Sequence, residues 1–198
     1  MPQAEETILK STIADFTEQK VRSQWGVTND DVMGGVSTSK ISVSEENVLV
    51  FSGNVSLENN GGFASLRSPI DDYNFSDYEG FLLKIKGDGK TYNLSFRQTK
   101  YFTGYNYTQK FQTEKDSWQV VKLPFKDFNL KYYGKEISNF EPPDKSNIKQ
   151  ISILISDKQQ GPFRIEIEWI GLVLSSILII SKEELAFELI TECLCYKI

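Results

Sequence analysis

Residues 29–37 (NDDVMGGVS) put the side chains best suited to a specific task into nine positions: Asn29, Asp30, Asp31, Val32, Met33, the pair Gly34 and Gly35, and Ser37. Asn and Asp close turns through their own side chains, and paired glycines admit positive φ or a close backbone approach. Three uses follow. The segment can be a strained turn, in which case Ala at a positive-φ Gly34 or Gly35 costs about 1 kcal/mol. It can be a protein-docking loop, with Met33 as an adaptable apolar contact. It can ligate calcium through Asp30 or Asp31 and backbone carbonyls, although the spacing is not that of an EF-hand loop.

A second constellation is aromatic. Tyr92, Arg97, Tyr101, Tyr105 and Tyr107 are read as one face, interleaved with Gln98, Asn106 and Gln109. Flat rings beside amides and a guanidinium suit a sugar, with rings on C–H faces and polar groups on hydroxyls. Cross-strand ring pairing in a sheet accounts for the same residues without a ligand. Asp71, Asp72, Asp77 and Glu79 read as a solvated acidic loop, and Glu166 and Glu168 as the solvent face of a strand. The chain has no histidine, which excludes Ser-His-Asp and Cys-His nucleophiles, His acid–base catalysis and His-ligated zinc in their usual forms. No Gly-x-Gly-x-x-Gly follows a strand. The expectation is a non-enzymatic protein with no catalytic residue, metal set or cofactor.

These residues must be held by a chain of 198 residues, enough for one domain with its own core. A net charge of -5 argues against a general nucleic-acid surface. Cys193 and Cys195, the only cysteines, lie too close together in sequence to staple a domain. The first twenty residues lack a signal-peptide core, so sequons at Asn54, Asn74, Asn93 and Asn106 read as chance, and the expected compartment is the cytoplasm. Mitochondrial or plastid placement follows if the start is incomplete. The apolar run 170–180 is too short to span a bilayer, so no transmembrane segment is expected. Nothing sets an oligomeric state.

Strands are expected in the opening segment 7–13, then at 40–44 and 48–51 as a hairpin, and at 63–67, 81–86, 92–97, 101–111, 118–123, 148–155 and 163–170. Trp25 is expected as a buried anchor and 125–143 as a long irregular connection. Ile151, Ile153 and Ile155 alternate with Gln150, Ser152 and Leu154, and Ile165 and Ile167 with Glu166 and Glu168. Short strands separated by regular turns predict an all-β sandwich of jelly-roll type over residues 1–173. Ser181 to Glu184 has capping-box spacing, and Leu185, Leu189 and Cys193 share a helical face, so 174–198 is read as an extension with a short amphipathic helix.

With the strands laid out, four ordered stretches resemble the complex I intermediate-associated protein 30 family: 29–37 (NDDVMGGVS), 73–88 (YNFSDYEGFLLKIKGD), 118–125 (WQVVKLPF) and 161–171 (GPFRIEIEWIG). The resemblance covers roughly residues 7–173. It implies a galactose-binding-like β-sandwich, related in fold to carbohydrate-binding modules. It also implies an assembly factor or chaperone for respiratory NADH:ubiquinone oxidoreductase or a related membrane complex, whose partners are protein subunits. The partner- or ligand-binding residues expected are Asn29, Asp30, Asp31, Met33, Gly34, Gly35, Arg97, Tyr101 and Tyr105. The alternative is sugar binding through the tyrosine-rich face.

Overall fold

The computed structural model describes residues 10–174. Along the chain these form β1 (Lys10–Asp15), α1 (Gln19–Arg22), β2 (Gly26–Asn29), β3 (Thr38–Val43), β4 (Leu49–Val55), β5 (Ala64–Arg67), β6 (Tyr78–Lys86) and β7 (Thr91–Arg97). They continue with β8 (Tyr105–Gln112), β9 (Trp118–Pro124), β10 (Asn129–Tyr132), β11 (Lys135–Glu136), β12 (Gln150–Ile155) and β13 (Gly161–Leu174). One sheet has the order β3-β4-β13-β6-β9, with β1 also paired to β13; the other runs β11-β10-β8-β7-β12-β5-β2. The expected all-β sandwich is what forms. The expected C-terminal helix and the two cysteines lie outside the described residues, as do positions 7–9 of the opening strand.

Alternation decides which face of each strand is buried. Tyr92, Leu94 and Phe96 of β7 meet Ile151, Ile153 and Ile155 of β12 in the core. In β13 the inward positions are Phe163, Ile165 and Ile167, then Ile170 and Leu172. The change of parity is a β-bulge: Ile167 pairs with Ile85 and Trp169 with Lys84, leaving Glu168 as the extra residue. The bulge lets one fourteen-residue strand serve β4 with its first half and β1 with its second, while β6 pairs from Glu166 onward.

The two sheets meet in a knot of rings. Phe81 lies 6.0 Å from Phe96 across the sandwich and 5.0 Å from Phe125. Trp25 is buried as expected, edge-on to Phe16 at 5.0 Å. The connection 125–143 departs from expectation, because it contains the hairpin β10–β11. Its two-residue turn, Tyr133 (φ 44) and Gly134 (φ 78), has both residues at positive φ, as a type I′ turn requires. A bulky aromatic in that position hides the turn from sequence reading.

Candidate functional site

The loop after β2 is built around one carboxylate. Asp30, 1% exposed, opens the short 3-10 turn Asp30–Met33. It accepts hydrogen bonds from Ser37 N at 2.9 Å, Ser37 Oγ at 2.5 Å, Gly62 N at 2.6 Å and Phe63 N at 3.2 Å. Ser37 Oγ in turn accepts from Ser56 N at 2.9 Å, so the carboxylate ties the 29–37 loop to the segment 56–63. Burial raises the Asp30 pKa, but the donors from Ser37, Gly62 and Phe63 outweigh it and hold the group below its ordinary value. With four protein donors on two oxygens, Asp30 has little lone-pair capacity left for calcium. Asp31 is exposed, and among the described residues no group of three or more acidic, Cys or His residues could hold a metal ion.

The glycines serve this carboxylate in two ways. Gly34 takes φ +86°, the left-handed conformation expected of one of the pair. Gly35 does not, yet a Cβ there would sit 2.3 Å from Asp30 Cγ, and one on Gly61 would sit 2.6 Å from Asp30 Oδ2. The turn signals at 34–35 and at 61–62 are thus two walls of one structure. Gly35→Ala is expected to cost about 2 kcal/mol, against about 1 kcal/mol for Gly34→Ala, read as the shift of the urea midpoint. Val32, Met33 and Val36 of the same loop are 68%, 65% and 46% exposed. Asn29 accepts from Ser39 Oγ at 2.5 Å, which fixes the start of the loop on β3.

The tyrosine-rich face does not form as expected. Tyr92 and Tyr107 turn inward: Tyr92 stacks with Phe111 and Tyr107 with Phe96 at 5.4 Å, while Arg97 faces outward. Residues 92 and 97 differ in parity, so one strand cannot present both on a single face. Tyr101 and Tyr105 remain exposed, Tyr105 with its ring 4.6 Å from that of its cross-strand partner Tyr132. They sit at the end of the seven-stranded sheet where Arg97 pairs with Gln150, whereas the 29–37 loop leaves from the end where Asn29 pairs with Ala64. The structure therefore separates the expected site residues into two groups.

Sequence reasoning missed the outward face of this sheet. Ser65, Arg67, Asn93, Ser95, Gln150 and Ser152 line a cavity of about 110 Å³ together with Arg97. The signal was present as the outward positions of three adjacent strands, Ser65-x-Arg67, Asn93-x-Ser95-x-Arg97 and Gln150-x-Ser152. The acidic residues do not gather into a site. Asp72 pairs with Lys149, Glu79 with Lys122 at 2.5 Å, and Glu168 with Lys84 at 2.7 Å. Glu166 takes Arg164 at 3.0 Å and Lys86 at 3.4 Å. Glu166 does not share with Glu168 the solvent face expected of it: it is buried, and the bulge at Glu168 breaks the alternation. These carboxylates serve to balance neighbouring lysines and arginines.

Two antiparallel sheets with this strand order form a jelly-roll β-sandwich. A family 11 module of a Clostridium thermocellum cellulase is similar, with TM-score 0.63 and 16% identity, over 85% of this chain and 96% of that one. Part of the agarase AgWH50C is similar at TM-score 0.59 and 10% identity, covering 84% of this chain and 25% of that one. At these identities the likeness is one of fold.

The model of the family described as complex I intermediate-associated protein 30 matches residues 14–167, and the chain belongs to that family. The mitochondrial complex I intermediate-associated protein 30 of Mus musculus is 28% identical over 87% of this chain and 58% of its own length. The Drosophila melanogaster protein of the same description is 25% identical, over 89% of this chain and 66% of its own length. The chain thus spans less than two thirds of either relative. Among the described residues no helix is long and apolar enough to cross a membrane.

Proposed function

We propose that this chain is a non-enzymatic binding domain that holds a protein subunit during assembly of respiratory complex I or a related membrane complex. The observation that carries the reading is the 29–37 loop. Its base is fixed by the buried Asp30 carboxylate, and its tip offers Val32, Met33 and Val36 to solvent. Ordering a loop in advance removes part of the entropy cost of binding, and an unbranched thioether adapts to the partner's surface. The matched family, whose relatives are named for association with complex I intermediates, supports the choice of partner.

Met33→Lys tests this. The side chain is 65% exposed, so the substitution should change stability by no more than about 0.5 kcal/mol. A pull-down from native extract, read by mass spectrometry, should recover complex I subunits with the parent chain and lose most of them with Met33→Lys. Recovery of no such subunit by the parent, or equal recovery by the variant, counts against the reading.

Sugar binding through a tyrosine-rich face has less support than its sequence suggested. Two of its rings are in the core, and the exposed rings that adjoin Tyr105 are Tyr132, Tyr133 and Phe102 rather than the expected Tyr92 and Tyr107. A glycan array with the parent chain and a Tyr101→Ala, Tyr105→Ala variant separates the two readings.

A further inference from the structure

The outward side of a sheet normally carries long polar side chains in water. Here several outward positions of the central strands are buried, among them Ser65, Asn93, Ser95, Arg97 and Thr108. Phe102, from the connection between β7 and β8, and Gly134, beside β11, also line the cavity they surround. Its volume of about 110 Å³ is several times what one water needs, and it suits a compact ligand rather than an oligosaccharide.

The charge in this cavity is unbalanced. Arg67 and Arg97 flank β12, paired in register with Ser152 and Gln150 respectively. Among the described residues no carboxylate lies within ion-pair distance of either guanidinium. The one acid in the lining, Asp157, pairs with Lys110 at 2.9 Å. Arg67 Nε donates to Ser65 Oγ at 3.0 Å, but Arg97 Nε is buried with no partner. A third cation, Lys131, also lines the cavity, within a chain of net charge -5. Burial depresses both arginine pKa values, and the charge of Arg97 depresses that of Arg67 further. Unpaired buried cations are costly, and two neighbouring guanidiniums without an anion repel each other.

A second orphan narrows the ligand. Asn93 donates its amide to Ser156 Oγ at 3.3 Å, while Asn93 Oδ1 is buried without a donor. A small inorganic anion can satisfy Arg97 but is too short to reach Asn93 as well. The two residues are four apart on β7, roughly 13 Å of strand. The reach of the arginine side chain shortens that span to the length of a sugar bearing a terminal acid. We propose that this cavity binds a small hydroxylated anion, a sugar phosphate or sugar acid, with Arg67 and Arg97 clamping the anionic group and Asn93 accepting from a hydroxyl. No residue of 30–36 lines the cavity, so the site is independent of the docking loop.

Isothermal titration calorimetry at constant ionic strength tests the assignment, with glucose 6-phosphate, glucuronate, glucose and inorganic phosphate as probes. Glucose 6-phosphate or glucuronate should bind at millimolar or lower concentration, and their ratio names the anionic group. Glucose should give no heat, and inorganic phosphate should bind more weakly than the sugar phosphate. Arg97→Gln and Arg67→Gln should each weaken binding roughly tenfold or more, with partial recovery in Arg97→Lys. Without ligand, Arg97→Gln should melt at or above the parent's temperature, because it removes an unpaired buried charge. A purely structural arginine predicts a lower melting temperature. No heat from either sugar anion, undiminished binding by Arg97→Gln, or a clear fall in its melting temperature overturns the proposal. Inorganic phosphate binding as tightly as the sugar phosphate overturns the role given to Asn93.

Discussion

Replacing Asp30 by Ala should lower the unfolding free energy by about 4 kcal/mol, seen as a lower urea midpoint at unchanged slope. The substitution leaves the Ser37 amide and hydroxyl and the amides of Gly62 and Phe63 without their acceptor. A buried donor left unpaired costs roughly 1–3 kcal/mol, and water reaching the part-buried Gly62 and Phe63 recovers some of that. Asp30→Asn keeps the shape but offers one acceptor oxygen, so its loss should be about half as large. The pH dependence has a definite sign. The folded-state pKa of Asp30 lies below the value of 3.8 taken for an unperturbed aspartate. Its contribution is therefore complete above about pH 4 and fades as pH falls through the folded value. Urea midpoints measured from pH 5 downward should fall more steeply for the parent than for Asp30→Asn. Parallel acid limbs would mean that the carboxylate carries no charge-linked stability.

The strands were legible because burial leaves a period-two record in the sequence. Ile151, Ile153 and Ile155 appear in the core as their alternation predicts, and so do Phe163, Ile165 and Ile167. The bulge at Glu168 was visible as the point where alternation breaks before Ile170, although its effect on pairing was not. The hairpin β10–β11 was missed because positive φ at Tyr133 runs against residue preference and is imposed by tertiary context. A ring edge packs there: Tyr133 meets Tyr132 at 4.7 Å and Phe102 at 5.7 Å. Short-range propensity cannot show contacts made from another loop.

The candidate site was legible only in part, for a related reason. The 29–37 loop stood out by composition, yet composition could not show that Gly61 and Gly62 meet the same carboxylate from thirty residues away. The tyrosine-rich face failed because residue type was allowed to outweigh parity, and parity places Tyr92 with Leu94 rather than with Arg97. The arginine cavity needed pairing information. Arg67 and Arg97 become neighbours only when β12 inserts between β5 and β7, and nothing local in either strand announces that order.

Phe96→Ala should cost about 4 kcal/mol and bears on both the fold and the arginine cavity. The ring is 1% exposed and packs against Phe81 at 6.0 Å, Phe125 at 6.0 Å, Phe128 at 5.0 Å and Tyr107 at 5.4 Å. Phe81 belongs to the other sheet, so Phe96 is one of the contacts that set the distance between the layers. Truncation removes its transfer free energy and leaves a void that paired backbones on both sides resist closing. Phe96→Leu keeps most of the volume and should cost about 1.5 kcal/mol. The next residue, Arg97, faces the cavity on the opposite side of the same strand. Loosening β7 from beneath should therefore raise amide hydrogen exchange at Ser95 and Arg97 more than at Ile165, on the far sheet. A loss below about 2 kcal/mol for Phe96→Ala, with uniform exchange, would mean that the sheets close over the void. The cavity floor would then be held by the β7–β12 ladder rather than by the rings beneath it.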